Sequence, residues 1–276
     1  MSKQLPTGHM IIKNEDRFIW YAISSTIDKL SQLLIFDTGS QDNTVRIIQS
    51  FRSPKIIFEQ KENINSSQMA YLRQEQIERT KTDWIWIIDG DEIYPKKTSG
   101  EVLDYILRDT VQYEGGAVRR FDLLGDIYHY QSEKIGEYNL FGQKGHLVLR
   151  LLNKKKLPGL NIKGVYPNEA YYDKGGILIS DHPKEKFFIT ENRLFHAMYL
   201  KRSSLGSSLS NTLHRNKFKI EKGYLFRNNQ QLPEVFFQDH LSNNEDVIKK
   251  RGITYETLSI FITPLKKLKR LIWKKI

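Results

Sequence analysis

Through its first ninety residues the chain alternates short apolar runs with stretches where apolar residues recur every three or four positions. Runs of the first kind read as buried strands and stretches of the second kind as helices packed on one side. His9-Met10-Ile11-Ile12 forms the first predicted strand. Asn14 then suits a helix N-cap, with Glu15 and Asp16 in the first turn and Ile19, Ile23, Ile27 and Leu30 at helical spacing. Leu33 to Phe36 makes a second strand, a helix runs through Val45, Ile48 and Phe51, and Lys55 to Phe58 is a short third strand. Residues 66–80 read as helix and Trp84 to Ile88 as a fourth strand. This alternation predicts an α/β fold, a Rossmann-like, mostly parallel central sheet flanked by helices. Beyond residue 95 the pattern is less regular, with strands expected at Gly116 to Leu123 and His146 to Leu152. We expect residues 1–205 to form the main domain and 206–276 a basic, mainly helical extension.

Ligands of open α/β sheets gather at the carboxyl ends of the strands. Asp37, leading into Thr38-Gly39-Ser40, ends the second strand, and Asp89-Gly90-Asp91-Glu92 follows the fourth. On an extended chain Asp89 and Asp91 point the same way, and two such carboxylates repel unless a cation joins them. A hard divalent ion that shares its remaining positions with phosphate oxygens meets that need. A solvated Asp-Gly turn is the plainer alternative. Arg73 falls near the middle of the apolar face formed by Met69, Ala70, Leu72 and Ile77, where a guanidinium needs a partner. That partner is a bound phosphate or a structural carboxylate such as Asp37.

The bulk numbers narrow the partners. Lys and Arg number 43 against 32 Asp and Glu, giving +11 and a pI near 9.5, which favours anionic partners. With no cysteine, disulfides and thiolate metal sites are excluded, which suits a reducing compartment. Met1 to Met10 has no apolar signal core, and no run reaches the roughly 18 to 20 apolar residues of a membrane span. We therefore expect a cytoplasmic protein, or one lying on the inner face of the membrane. The end, Leu265 to Ile276, spaces leucines among Lys and Arg as a basic amphipathic helix does, so 264–276 is the expected membrane contact, with a solvated or self-docked helix as the alternative.

The order of these pieces resembles the family 2 glycosyltransferases of the GT-A fold. The likeness is carried by Met10-Ile11-Ile12-Lys13-Asn14-Glu15, by Asp37 to Thr44, by Arg73 placed 16 positions before Asp89, and by Trp84 to Glu92. It implies a nucleotide-diphosphate sugar, most commonly a uridine diphosphate sugar, bound with Mn2+ or Mg2+. Residue by residue, Asp37 would hold the base, Arg73 the donor, Asp89 the ribose or metal, and Asp91 the metal, while Gly90 would let the donor approach. Within Leu194 to Ser203, His196 is the candidate further metal ligand and Lys201 and Arg202 candidate diphosphate contacts. In Tyr166-Pro167-Asn168-Glu169-Ala170, Glu169 is the candidate general base, although Asn168 stands where the family often has histidine. Asp122, Asp126 and Asp173 are its rivals. The implied reaction inverts the anomeric centre. A glycan or lipid-linked, cell-envelope acceptor is expected, with Tyr128, Tyr130, Tyr138, Tyr166, Tyr171 and Tyr172 available to stack on sugars. Two other classes compete. A sugar nucleotidyltransferase would want a glycine-rich phosphate loop near the N-terminus, which is missing, and a non-catalytic anion-binding module for membrane or nucleic acid would cluster its dispersed basic residues. No nucleic-acid partner is expected.

Overall fold

The structure is a computed structural model describing residues 4–61, 64–108, 113–205, 219–227, 232–238 and 247–273. The first half runs β1 (Thr7–Ile12), α1 (Ile19–Thr26), β2 (Gln32–Asp37), α2 (Thr44–Ser50), β3 (Ile56–Gln60), α3 (Met69–Arg79) and β4 (Trp84–Ile87). There follow β5 (Glu92–Ile93), α4 (Lys96–Ile106), β6 (Gly115–Leu124), β7 (His129–Tyr130), β8 (Tyr138–Leu140), β9 (Gln143–Gly145) and β10 (Leu147–Asn153). The remainder comprises β11 (Asn161–Lys163), β12 (Ala170–Tyr172), β13 (Phe187–Tyr199), β14 (Tyr224–Leu225) and α5 (Ile253–Trp273).

Strands β3, β2, β1 and β4 lie side by side and parallel, as the alternating pattern predicts. Antiparallel β10 joins β4 to β6, and β6 pairs in parallel with β13. Both faces of β1, β2 and β4 are covered, which is why these strands read as apolar runs, whereas β3 at the edge is half-buried. Trp84, Trp86 and Ile88 pack with Ile19, Ile23 and Val102 of α1 and α4, whereas Ile85 and Ile87 face Ile77 of α3. Trp86 is fully buried and meets Tyr94 edge-on, ring centroids 5.1 Å apart. Gly116 leaves room for Phe188, whose ring would stand 2.2 Å from any Cβ there.

Three expectations change. Helix α1 starts at Ile19, so Asn14 is not its cap. Asn14 sits instead at φ 54° and ties two loops, its Oδ1 accepting from Gln41 N at 2.7 Å. Glu15 and Asp16 are likewise spent on tertiary partners: Arg202 approaches Glu15 at 3.3 Å, and Ser204 N donates to Asp16 at 2.8 Å. Past residue 95 the chain is more regular than its pattern suggests, with α4 and the 13-residue β13 both unforeseen. Parts of the expected C-terminal extension, 206–218, 228–231, 239–246 and 274–276, lie outside the described residues. Within it, Phe226, Leu232, Val235 and Phe236 pack with Phe195 and Leu123 of the sheet.

Candidate active site

The chain leaves β4 into a turn, with Glu92 N donating to Asp89 O at 3.1 Å across Gly90 and Asp91. The expected extended path is therefore broken, and the acids diverge toward different cations. Space at 90 is tight within the protein itself, since a Cβ would stand 3.1 Å from both Glu15 Cγ and Ile12 Cγ2 and those side chains would have to give way.

Each acid has a protein cation. Register between β10 and β6 slips between Leu149 and Leu151, so Arg150 occupies a bulge, a device that re-aims a side chain. Its Nη2 bonds Asp89 and lies 2.6 Å from Glu92 Oε1. Arg202 Nη1 donates to Asp91 Oδ2 at 3.0 Å, and His196 Nε2 stands 3.5 Å from the same oxygen. The other ring nitrogen of His196 meets Asp122 Oδ1 at 3.2 Å, because β13 sets His196 level with both Glu92 of β5 and Asp122 of β6.

These contacts set the protonation states. Burial opposes charge on His196, but Asp91 and Asp122 outweigh it and raise its pKa to about 9. Burial likewise opposes ionisation of Asp91, yet His196 and Arg202 hold its carboxyl well below the usual range. Asp89 is lowered too, Arg150 and Arg73 overcoming burial. Glu92, completely buried, goes the other way: burial and neighbouring Asp89 raise it against the pull of Arg150.

A cavity of about 480 Å³ opens beyond the carboxyl ends of β1 and β4. Six of the nine sequence candidates line it, Arg73, Asp89, Gly90, Asp91, His196 and Arg202, and Lys201 does not. Asp37 and Glu169 are not among its lining residues. Asp37 is fully buried and holds its own turn, accepting from Ser40 N at 3.0 Å. Glu169 lies 3.3 Å from Arg73 Nε, so the partner of that arginine is Glu169 and not Asp37. Of the six tyrosines, Tyr166 lines the cavity. Asp126 and Asp173 serve local structure, Asp126 meeting His129 at 2.8 Å and Asp173 accepting from Ile177 N at 2.8 Å. Arg150 and Glu15 were missed, although an arginine inside the apolar run Leu147 to Leu152 is itself a signal that a buried acid waits for it.

The metal implied by the resemblance can be tested on donor chemistry. Among the described residues no three acid or histidine side chains already converge as a metal cage. Asp91 and His196 nevertheless border one cavity, and the Asp122 contact to the far imidazole nitrogen is the arrangement that orients metal-bound histidines. Carboxylate oxygen with imidazole nitrogen suits a divalent ion such as Mn2+, which would have to displace the proton that Asp91 and Asp122 hold on His196. The residues present fit the group.

A mostly parallel sheet with acids and arginines at its strand ends is the arrangement expected of the GT-A class. The chain matches Glycosyl transferase family 2 over residues 9–167, more than half its length, and belongs to that family. It is 31% identical over 97 residues to the SPbeta prophage-derived glycosyltransferase SunS of Bacillus subtilis (strain 168), a stretch covering 35% of this chain and 22% of SunS. The match thus spans about a fifth of that relative's length. Among solved structures, TarS 1–349 of S. aureus is similar over 71% of this chain and 61% of its own, at 9% identity and TM-score 0.44. The glucosyl-3-phosphoglycerate synthase of Mycobacterium tuberculosis, crystallised with Mn2+, uridine diphosphate and glucosyl-3-phosphoglycerate, is similar over 44% of this chain and 45% of its own, at 17% identity and TM-score 0.32.

Proposed function

We propose that this protein transfers a sugar, with inversion, from a nucleotide-diphosphate donor to a hydroxyl of a glycan or lipid-linked acceptor. The observation carrying this reading is the convergence of Arg73, Asp89, Gly90, Asp91, His196 and Arg202 on one cavity at the strand ends. A uridine diphosphate sugar is the proposed donor, the one that membership of Glycosyl transferase family 2 most commonly implies.

In the proposed reaction Asp89 faces the ribose, and Arg73 and Arg202 take the diphosphate oxygens, while Asp37, buried outside the cavity, braces the loop after β2. Asp89, Asp91 and His196 would hold Mn2+ or Mg2+, which when bound supplies Lewis-acid stabilisation of the departing diphosphate. The acceptor oxygen bonds the anomeric carbon as the bond to the diphosphate oxygen breaks, and Glu169 takes the acceptor's proton. Arg202 can supply its charge there because it already lies in the cavity, fixed by Asp91 and Glu15. Residues 1–205 act as the catalytic unit in this scheme, and the 264–276 segment makes peripheral contact with a membrane.

A screen of nucleotide sugars, each with and without Mn2+, tests it by thermal denaturation. A donor at a hundredfold excess over its Kd adds about 2.7 kcal/mol to stability, a melting rise of several degrees. Asp91→Asn should abolish that metal-dependent rise and lower transfer at least about a hundredfold while circular dichroism stays native. A screen in which no nucleotide sugar raises the melting point removes the proposal.

A further inference from the structure

Helix α5 turns its polar side to the protein and its apolar side outward. Tyr255 Oη donates to Lys219 O at 2.7 Å, Lys222 N donates to Thr263 Oγ1 at 2.8 Å, and Arg270 Nη2 donates to Glu221 at 2.5 Å. Lys266 adds a looser approach to Glu221 at 3.8 Å, and Ser259 on the same side is fully buried. Opposite them Ile253, Ile260, Phe261, Leu265, Leu268, Leu271 and Ile272 are each more than half exposed. At 100° per residue these seven fall within a sector of about 140°, the width of an ordinary core-facing stripe. A helix on a soluble protein buries such a stripe. Here the fold holds the helix by the opposite face and presents the stripe to the surroundings.

The charges say what covers it. Lys267 and Lys269 border the apolar sector on its two sides, and residues 249–273 carry seven basic side chains against one acidic. Lys134, Lys222, Lys267 and Arg270 also gather, with the single carboxylate of Glu221, around a cavity of about 460 Å³ beside the helix, where Arg270 Nη1 is buried without a hydrogen-bond partner. A second copy docking stripe to stripe would bring two such basic rims together, whereas an anionic lipid surface offers acyl chains to the stripe and phosphates to the rim. No helix among the described residues is long and apolar enough to cross a membrane. We infer that α5 lies in the plane of an anionic bilayer, from Ile253 to Ile272, with its apolar sector at the acyl-chain boundary and its lysines at the phosphates. This rests on the peripheral contact of 264–276 and extends it upstream to Ile253, Ile260 and Phe261, on the part of the helix that precedes the basic tail.

The full chain, without donor, is sedimented with phosphatidylcholine vesicles with and without phosphatidylglycerol. Binding is expected to the phosphatidylglycerol vesicles and to weaken with salt. The paired substitutions Ile260→Ser with Phe261→Ser, and Leu265→Ser with Leu268→Ser, should each lower partitioning about tenfold or more, and Lys267→Gln and Lys269→Gln about fivefold apiece. All these side chains except their flanks lie in solvent, so unchanged melting curves will show that folding is intact. If the Ile260 and Phe261 pair binds like the parent while the Leu265 and Leu268 pair does not, the upstream extension is overturned and the 264–276 contact stands. If the parent does not sediment, or light scattering shows a dimer that Leu268→Glu dissolves while vesicles leave the parent unbound, both are overturned. Asp91→Asn should sediment like the parent, which keeps this outcome separate from that of the transferase reading.

Discussion

Removing Arg150 exposes what the acids after β4 cost the fold. Its guanidinium lies 2.6 Å from Glu92, which has no solvent exposure, and also bonds Asp89, whose side chain is 33% exposed. In Arg150→Met the solvated Asp89 limb contributes little, because exposed pairs are screened. The Glu92 limb decides the outcome: a buried carboxylate left without its cation costs roughly 3–5 kcal/mol. For a chain of this length that corresponds to a fall of about 10 °C in Tm. The pH dependence has a definite sign. Burial and Asp89 already raise the Glu92 pKa, and without Arg150 it rises further, so the folded variant binds a proton that the unfolded chain releases. The deficit relative to the parent is therefore smallest at acid pH and grows as pH rises above the ordinary carboxylate range. Adding Glu92→Gln removes the stranded charge and should return the double variant to within about 1.5 kcal/mol of the parent. Urea unfolding of the four members of the cycle at two pH values measures this. A single variant that loses less than about 1 kcal/mol, or a double variant no better than the single, would show that the pair does not bear the load assigned to it.

His9, buried and 2.6 Å from Thr80 Oγ1, has its pKa lowered to about 3, chiefly by burial and further by Arg73 and Lys154. Between pH 6.5 and 3 the unfolded chain takes up a proton that the folded one refuses, so stability should fall by about 1.4 kcal/mol per pH unit on acidification, and His9→Gln should flatten that slope in calorimetric titrations. Asp122→Asn deprives His196 Nδ1 of its carboxylate, and calorimetry should find Mn2+ affinity reduced roughly 10–100-fold; unchanged affinity would leave Asp122 no orienting role. Glu169→Gln should lower kcat about 10²–10⁴-fold with KM little altered, and normal turnover would exclude Glu169 as the base.

The parallel half of the sheet was legible because both of its faces are buried, so β1, β2 and β4 appear as unbroken apolar runs bounded by polar turns. Arg73, Asp89 and Asp91 were legible because charges beside or within apolar runs need partners, His196 and Arg202 only through the family resemblance, and the structure brings all five to one cavity. What the pattern hid is long-range. Helix α4 opens with Lys96-Lys97-Thr98-Ser99, residues of weak local signal, and its place is fixed by burial of Val102 and Ile106 against the sheet. Strand β13 breaks its alternation at Glu191-Asn192-Arg193, where the register with β6 slips, and only that pairing makes its 13 residues one strand. Arg150 depends on a bulge, and a bulge depends on the facing strand, so strict alternation along β10 cannot tell which way that guanidinium points. The tail shows the converse. Its amphipathic period was plain, but orientation is not in the period: Glu221 and the backbone of Lys219 and Lys222 engage the polar side of α5, and that choice is what leaves the leucines outward. A periodic pattern therefore gives a helix two candidate buried faces, and the partners that compete for each decide between them.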